Sequence, residues 1–196
     1  MSSIFDTPGN DLLYGTQDSD YIVLNGNTST ISGDSDTVYA GAGDDFIDMN
    51  TRGPHFIYAE DGDDVVLIQD YRSNVYIDGG LNGTYGDRVV LGGWGMDTVF
   101  PVGVSIDLNV TAPQSIGGGN LTLLGVESID ATSWNDTLLG NSANNFFFGG
   151  AGDDLMNGRE GKDSIGLWGQ GAATVDLALT GAQNTGYGMD TLISIE

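Results

Sequence analysis

Asp136, Asn145, Asp154 and Asp163 recur at intervals of nine residues, and each begins a triplet whose second following residue is apolar. Earlier in the chain Asp11 and Asp20 stand nine apart, as do Asp36 and Asp45, and Asp64 follows with the same triplet. Regularly spaced carboxylates offer one chemistry above others. Two of them brought face to face repel, and each hinders the other's ionisation. A hard divalent cation reverses the sign of that interaction, and Ca²⁺ accepts six to eight oxygens at ~2.3–2.6 Å. Mg²⁺ suits such a site less, because it prefers a smaller octahedron and keeps its waters. Other chemistries lack their parts: with one His, one Lys and no Cys, most pairings of nucleophile and base are excluded.

The residues around the aspartates say what must position them. Each unit has six residues rich in Gly and Asp, which favour turns, followed by three that suit a short strand. Side chains alternate across a strand, so the middle strand residue points inward. Those residues are Leu13, Ile22, Val38, Ile47, Val66, Leu138, Phe147, Met156 and Ile165, all apolar. Two units return the chain to its starting side, so turns eighteen residues apart stack. Asp154 then lies over Asp136 and Asp163 over Asn145, while Asp64 is nineteen from Asp45. Asp20 and Asp36 are paired less regularly, at sixteen. The architecture predicted is all-β, a parallel β-roll of two short-stranded sheets around a thin apolar core.

AlaGlyAlaGlyAspAspPheIleAsp (40–48) and GlyGlyAlaGlyAspAspLeuMetAsn (149–157) resemble the glycine- and aspartate-rich nonapeptide of the repeats-in-toxin (RTX) family. The resemblance spans roughly 6–91 and 131–166. It implies a right-handed β-solenoid with calcium between stacked turns, held by the position-6 Asp of each turn. The earlier turn would add carbonyls from positions 2 and 4, and the later turn carbonyls from positions 1 and 3. Carried over, one site uses Gly41, Gly43 and Asp45 with Ala59, Asp61 and Asp64. A second uses Thr132, Trp134 and Asp136 with Gly149, Ala151 and Asp154. A third uses Asn141, Ala143 and Asn145 with Gly158, Glu160 and Asp163. Asp11, Asp20 and Asp36 are placed among the ligands by the same register. Trp134 stands where Gly is expected, and a left-handed backbone there would cost ~1–2 kcal/mol. Asn145 removes one formal charge, so the third site should be weaker. His55 occupies an Asp position and reads as a plain turn or surface residue. Asp107, Asp130 and Asp176 lie outside the register and read as ordinary turn formers.

Composition narrows the rest. The 196 residues include 32 Gly and 28 acids against 5 cations, for a net charge of −23. Four of the acids are Glu, leaving 24 Asp. Disorder is opposed by an apolar fraction of 39%. With no basic cluster and no apolar run near ~20 residues, neither a nucleic-acid partner nor a membrane span is expected. Cysteine is absent, so no disulfide framework exists, and Met1–Asp6 lacks the basic and apolar regions of a cleaved signal peptide.

Between about 92 and 130 the period is lost, yet that stretch recurs at the C-terminus. ValSerIleAspLeu (104–108) matches AlaThrValAspLeu (173–177), and both Asp107 to Asp176 and Glu127 to Glu196 span 69 residues. The expected organisation is a first roll over 1–91, a connecting β-segment over 92–130, and a second roll with its closing segment over 131–196. The chain reads as a piece of a longer repetitive protein. Its expected role is a non-catalytic, calcium-binding structural module of a secreted bacterial protein, exported by type I secretion and folding outside the cell. Its partners would be Ca²⁺ and neighbouring modules of the parent chain. The alternatives are an adhesion or carbohydrate-binding module and a non-catalytic part of a polysaccharide-modifying enzyme. Adhesion would use outward aromatics (Tyr14, Tyr21, Tyr39, Phe46, Phe56, Tyr58, Phe146, Phe148), which otherwise pack under 92–130 or a neighbouring module.

Overall fold

The computed structural model describes residues 1–24, 34–92, 100–167 and 174–196. Strands of two to five residues alternate with tight turns, and no helix occurs among the described residues. The Gly/Asp turns cannot continue a strand, and the apolar triplets are too short for anything else. The fold is a parallel β-roll.

One long sheet has eight strands, in the order Ser3–Phe5, Tyr21–Leu24, Phe46–Met49, Val65–Ile68, Asp87–Leu91, Val126–Asp130, Phe146–Phe148 and Ser164–Ile165. Every pairing in it is parallel, and the inward residues align as Ile4, Ile22, Ile47, Val66, Val89, Ile129, Phe147 and Ile165. Two sheets oppose it. One carries Leu12–Tyr14, Thr37–Tyr39, Pro54–Tyr58, Asn74–Asp78 and Asn120–Leu124; the other carries Ser105–Asp107, Thr137–Leu139, Leu155–Asn157 and Met189–Ile193. Each of these also pairs at one end with a two-residue antiparallel strand, Gln114–Ser115 or Gln183–Asn184. Asp87–Leu91 pairs with Val126–Asp130, which pairs with Phe146–Phe148, so the long sheet runs without a break through both nonapeptide regions.

The core is one continuous cluster between the sheets. Ile22, Val38, Ile47, Val66, Leu138, Phe147 and Met156 are buried as the alternation requires, while Leu13 and Ile165 are only partly covered. The outward aromatics are covered differently from the expected packing under 92–130. Tyr14, Tyr39 and Tyr58 stack on one another across adjacent strands with centroids 5.4 and 4.9 Å apart, and Tyr21 stacks on Phe46 at 5.6 Å. Phe148 is buried, with Tyr187 edge-on against it. Parallel in-register pairing sets like side chains one strand spacing apart, which is the distance of ring stacking. Tyr14, at one end of its stack, remains 62% exposed.

Candidate metal centre

Stacking turns creates a ladder in which the backbone N–H of one turn's last residue donates to the side chain of the next. Along the long sheet Ser2 N–H donates to Asp20 Oδ1 (2.8 Å), Asp20 to Asp45 (2.6 Å), Asp45 to Asp64 (2.7 Å), Asp64 to Asp87 (2.8 Å) and Asp87 to Glu127 Oε2 (3.0 Å). The same pattern resumes from Asn145 to Asp163 (2.7 Å) and from Asp163 to Glu196 Oε2 (2.8 Å). On the opposite side Val104 donates to Asp136 (2.6 Å), Asp136 to Asp154 (2.8 Å) and Asp154 to Asp190 (2.9 Å).

The structure thus brings together Asp45 with Asp64, Asp136 with Asp154, and Asn145 with Asp163. It separates Asp20 from Asp36. Asp20 stacks on Asp45, and Asp11 N–H donates to Asp36 Oδ1 at 3.0 Å, both pairs being 25 residues apart. Asp20 and Asp36 belong to opposite edges of the roll, because consecutive units alternate sides. Asp87 and Asp190 were missed by spacing, since they follow Asp64 and Asp154 by 23 and 36 residues. Their signal was the local triplet, AspArgVal and AspThrLeu. His55 is no surface residue: it is buried in the Pro54–Tyr58 strand, and its Nδ1 accepts the Asp36 N–H at 3.3 Å. Asp130, also outside the register, is no turn former either. It ends a strand, buried and ion-paired with Arg88.

The second carboxylate oxygen divides the turns into two kinds. In one, the residue at position 2 donates back to its own turn: Thr7 N–H to Asp11 Oδ2 (2.7 Å), Thr16 N–H to Asp20 Oδ2 (2.6 Å), Thr132 N–H to Asp136 Oδ2 (2.8 Å) and Asn141 N–H to Asn145 Oδ1 (2.9 Å). In the other kind, position 2 is left-handed: Gly41, Glu60, Gly150 and Arg159 have φ of 108°, 74°, 90° and 70°. A positive φ rotates that N–H away from the carboxylate. In these turns Asp45, Asp64, Asp154 and Asp163 each keep a buried Oδ2 with no donor among the described residues, as does Asp87, whereas Asp36 Oδ2 lies 3.2 Å from His55 Nδ1. Trp134 belongs to the first kind, so the expected left-handed strain does not arise, and its indole N–H donates to Phe100 O at 2.7 Å.

The stacked turns touch through their backbones. A Cβ on Gly150 would stand 1.9 Å from Thr132 O, which only glycine permits. Asp61 N–H donates to Gly41 O (3.0 Å) and Gly43 N–H to Asp61 O (2.8 Å), so the 40–45 and 59–64 turns are in register. Gly149, Ala151, Gly158 and Glu160 occupy the matching positions of the later turns, and Ala59 is buried beside its own. Among the described residues no three acidic, His or Cys side chains converge on one point. A cation here needs carbonyl oxygens as well as carboxylates.

Burial acts on both kinds of turn, and it lifts Asp136 to about 6. Burial pushes Asp64 and Asp154 up to about 7, helped by the carboxylates of Asp45 and Asp136 respectively. Asp87 is pushed up to about 8 by burial and by Asp64 and Glu127, and Asp45 to about 6 by burial, with Asp20 adding to it. Burial acts on Asp20 too, but the hydrogen bonds from Ser2 and Thr16 outweigh it and hold the group below the usual range. A buried oxygen that finds neither donor nor counter-charge is costly. A bound divalent cation removes that cost, and the all-oxygen surroundings fit calcium.

A family profile described as the RTX calcium-binding nonapeptide repeat matches four copies in this chain, over 3–31, 32–48 and 131–165. These are RTX calcium-binding nonapeptide repeats. RTX nonapeptide repeats bind calcium, and the parallel β-roll is their fold. The matched segments stop short of the 59–64 turn and of Asp87, where the same hydrogen-bond ladder nevertheless continues. No curated protein matches the chain. Among the described residues no helix is long and apolar enough to cross a membrane.

Proposed function

We propose that the chain is a calcium-dependent structural module of a larger secreted bacterial protein, folding when it meets calcium outside the cell. The observation that carries this reading is the set of buried Oδ2 atoms of Asp45, Asp64, Asp87, Asp154 and Asp163, none with a donor among the described residues. Calcium supplies the positive charge that lets these carboxylates remain ionised inside the stack. The ligand sets are those of the stacked turns: Asp45 with Asp64, Asp136 with Asp154, and Asn145 with Asp163, completed by the carbonyls named above. A net charge of −23 keeps the calcium-free chain expanded and soluble, as export through a type I channel requires. Binding free energy then becomes folding free energy.

The segments 1–91, 92–130 and 131–196 act in this reading as successive parts of one solenoid, supported by the unbroken long sheet. The role is structural rather than catalytic. Four arginines are each paired with an aspartate, and His55 is enclosed, which leaves few groups to serve a reaction. Adhesion through sugar stacking is less favoured, because Tyr14, Tyr39 and Tyr58 turn their ring faces to one another. Far-ultraviolet circular dichroism of chelated protein, titrated with Ca²⁺ and in parallel with Mg²⁺, tests the proposal. β-Structure should appear at about 0.1–1 mM Ca²⁺, the range of extracellular modules. Native spectra in excess chelator would overturn it.

A further inference from the structure

The two closing hairpins repeat in structure as well as in sequence. Asp107 N–H donates to Gln114 Oε1 (2.7 Å) and Gln114 Nε2 returns to Asp107 O (3.0 Å); Asp176 and Gln183 make the same pair at 2.8 and 3.1 Å. Each hairpin then passes through a left-handed residue, Gly125 (φ 61°) or Ser194 (φ 50°), and two residues later presents Glu127 or Glu196. Those glutamates take the place in the ladder that a position-6 aspartate holds elsewhere, accepting from Asp87 N–H and Asp163 N–H.

The surroundings match as well. A Cβ on Gly79 would lie 2.2 Å from Asp87 Oδ2 and 2.4 Å from Gly125 O. One on Gly158 would lie 2.1 Å from Asp163 Oδ2 and 2.3 Å from Ser194 O. A true nonapeptide turn shows the same convergence at Gly140, with Asn145 Oδ1 at 2.3 Å and Gly158 O at 2.4 Å. Asp87 and Asp163 are 2% and 1% exposed, and the Oδ2 of each has no donor among the described residues.

We propose that Gly125-Val126-Glu127 and Ser194-Ile195-Glu196 are abbreviated turns, each closing a calcium site with the aspartate stacked against it, Asp87 or Asp163. This rests on the calcium reading of the nonapeptide turns. In a nonapeptide the first turn residue precedes its aspartate by five positions; here it precedes a glutamate by two. The extra methylene of Glu carries a carboxylate back to the ladder from the shorter loop. Each place then holds two carboxylates and a carbonyl oxygen, hard ligands that suit Ca²⁺ and offer nothing to a thiophilic metal. Glu127 is buried and also held by Asn82, whereas Glu196 is exposed, so the first site should be the tighter.

Native mass spectrometry and calorimetric titration with CaCl₂ on the full chain test this with Glu127→Gln, Glu196→Gln and the double variant. Glutamine still accepts the Asp87 or Asp163 N–H, so the ladder persists while the charge is lost. Each single variant should bind one ion fewer at 1 mM Ca²⁺, or bind it at least tenfold more weakly, and the double variant should lose both. Glu196→Gln, at an exposed position, reads the site without disturbing the core. Unchanged ion counts and affinities in both single variants would overturn the proposal and leave the nonapeptide sites standing. A wild-type chain that binds no calcium would overturn both.

Discussion

The turns at 131–136 and 149–154 stack eighteen residues apart and treat their last aspartate in opposite ways. In the first, Thr132 N–H and Oγ1 both reach Asp136, at 2.8 and 3.0 Å, so each oxygen has a donor from the protein. In the second, Gly150 is left-handed, its amide turns away, and Asp154 Oδ2 is buried without a donor among the described residues. Burial lifts Asp136 to about 6 and Asp154 to about 7, the latter aided by Asp136 and Asp190. In these two turns the second residue therefore sets whether the aspartate is satisfied by its own backbone or is left for a cation. The same division separates Asp11 and Asp20 from Asp45 and Asp64.

The broadest way to test this difference is pH. For Asp45, Asp64, Asp87 and Asp154 the folded-state pKa lies above the ordinary 3.8. In calcium-free protein the folded state therefore binds more protons than the unfolded one between about pH 4 and 8, and stability falls as pH rises through that window. Chelated protein should hold more β-structure at pH 5 than at pH 8, seen by circular dichroism, with calcium abolishing most of the difference. A chelated chain equally unfolded at both values would refute this contrast.

A smaller effect separates the two aspartates directly. Asp154→Asn should raise the calcium midpoint for folding by at least tenfold and remove at least one ion, while Asp136→Asn shifts it only a few-fold. Paired titrations followed by native mass spectrometry read both numbers. Smaller again is Thr132→Ala, which removes the Oγ1 bonds and should cost about 1–2 kcal/mol in urea unfolding at saturating calcium. It should also make folding more calcium-dependent, because Asp136 loses part of its internal support. At the bottom of the scale, Asp176→Ala should leave the ion count unchanged. Asp176 is exposed and among the described residues bonds only its own loop, accepting from Ala178 N–H at 2.9 Å. Equal losses from Asp154 and Asp176 would mean that bulk charge, not register, controls binding.

The closing hairpins show how far a repeat relies on its neighbour. Leu108 is buried because its backbone N–H bonds Leu139 O and the Thr137–Leu139 strand lies alongside. Its counterpart Leu177 is 49% exposed, with no strand beside it among the described residues. Like other stacked repeats, each unit gains its order from the next.

Wherever the interval between stacked aspartates was eighteen or nineteen, the sequence was enough. The Asp45–Asp64, Asp136–Asp154 and Asn145–Asp163 contacts follow from spacing, and the buried apolar column follows from strand alternation. Both are local properties, since one peptide geometry repeated at a fixed period leaves little freedom. Tertiary structure decided the rest. Insertions of different length hid the Asp20–Asp45, Asp64–Asp87 and Asp154–Asp190 contacts, because a loop of any length can close on the same rung and spacing records only its contour. It also enclosed His55, turned the tyrosine faces to one another, and chose through the φ of a single residue which carboxylates lack a donor. Hydrogen-bond satisfaction depends on where an amide points, and a composition of Gly, Thr and Asp constrains that direction only when the neighbouring turn is in place.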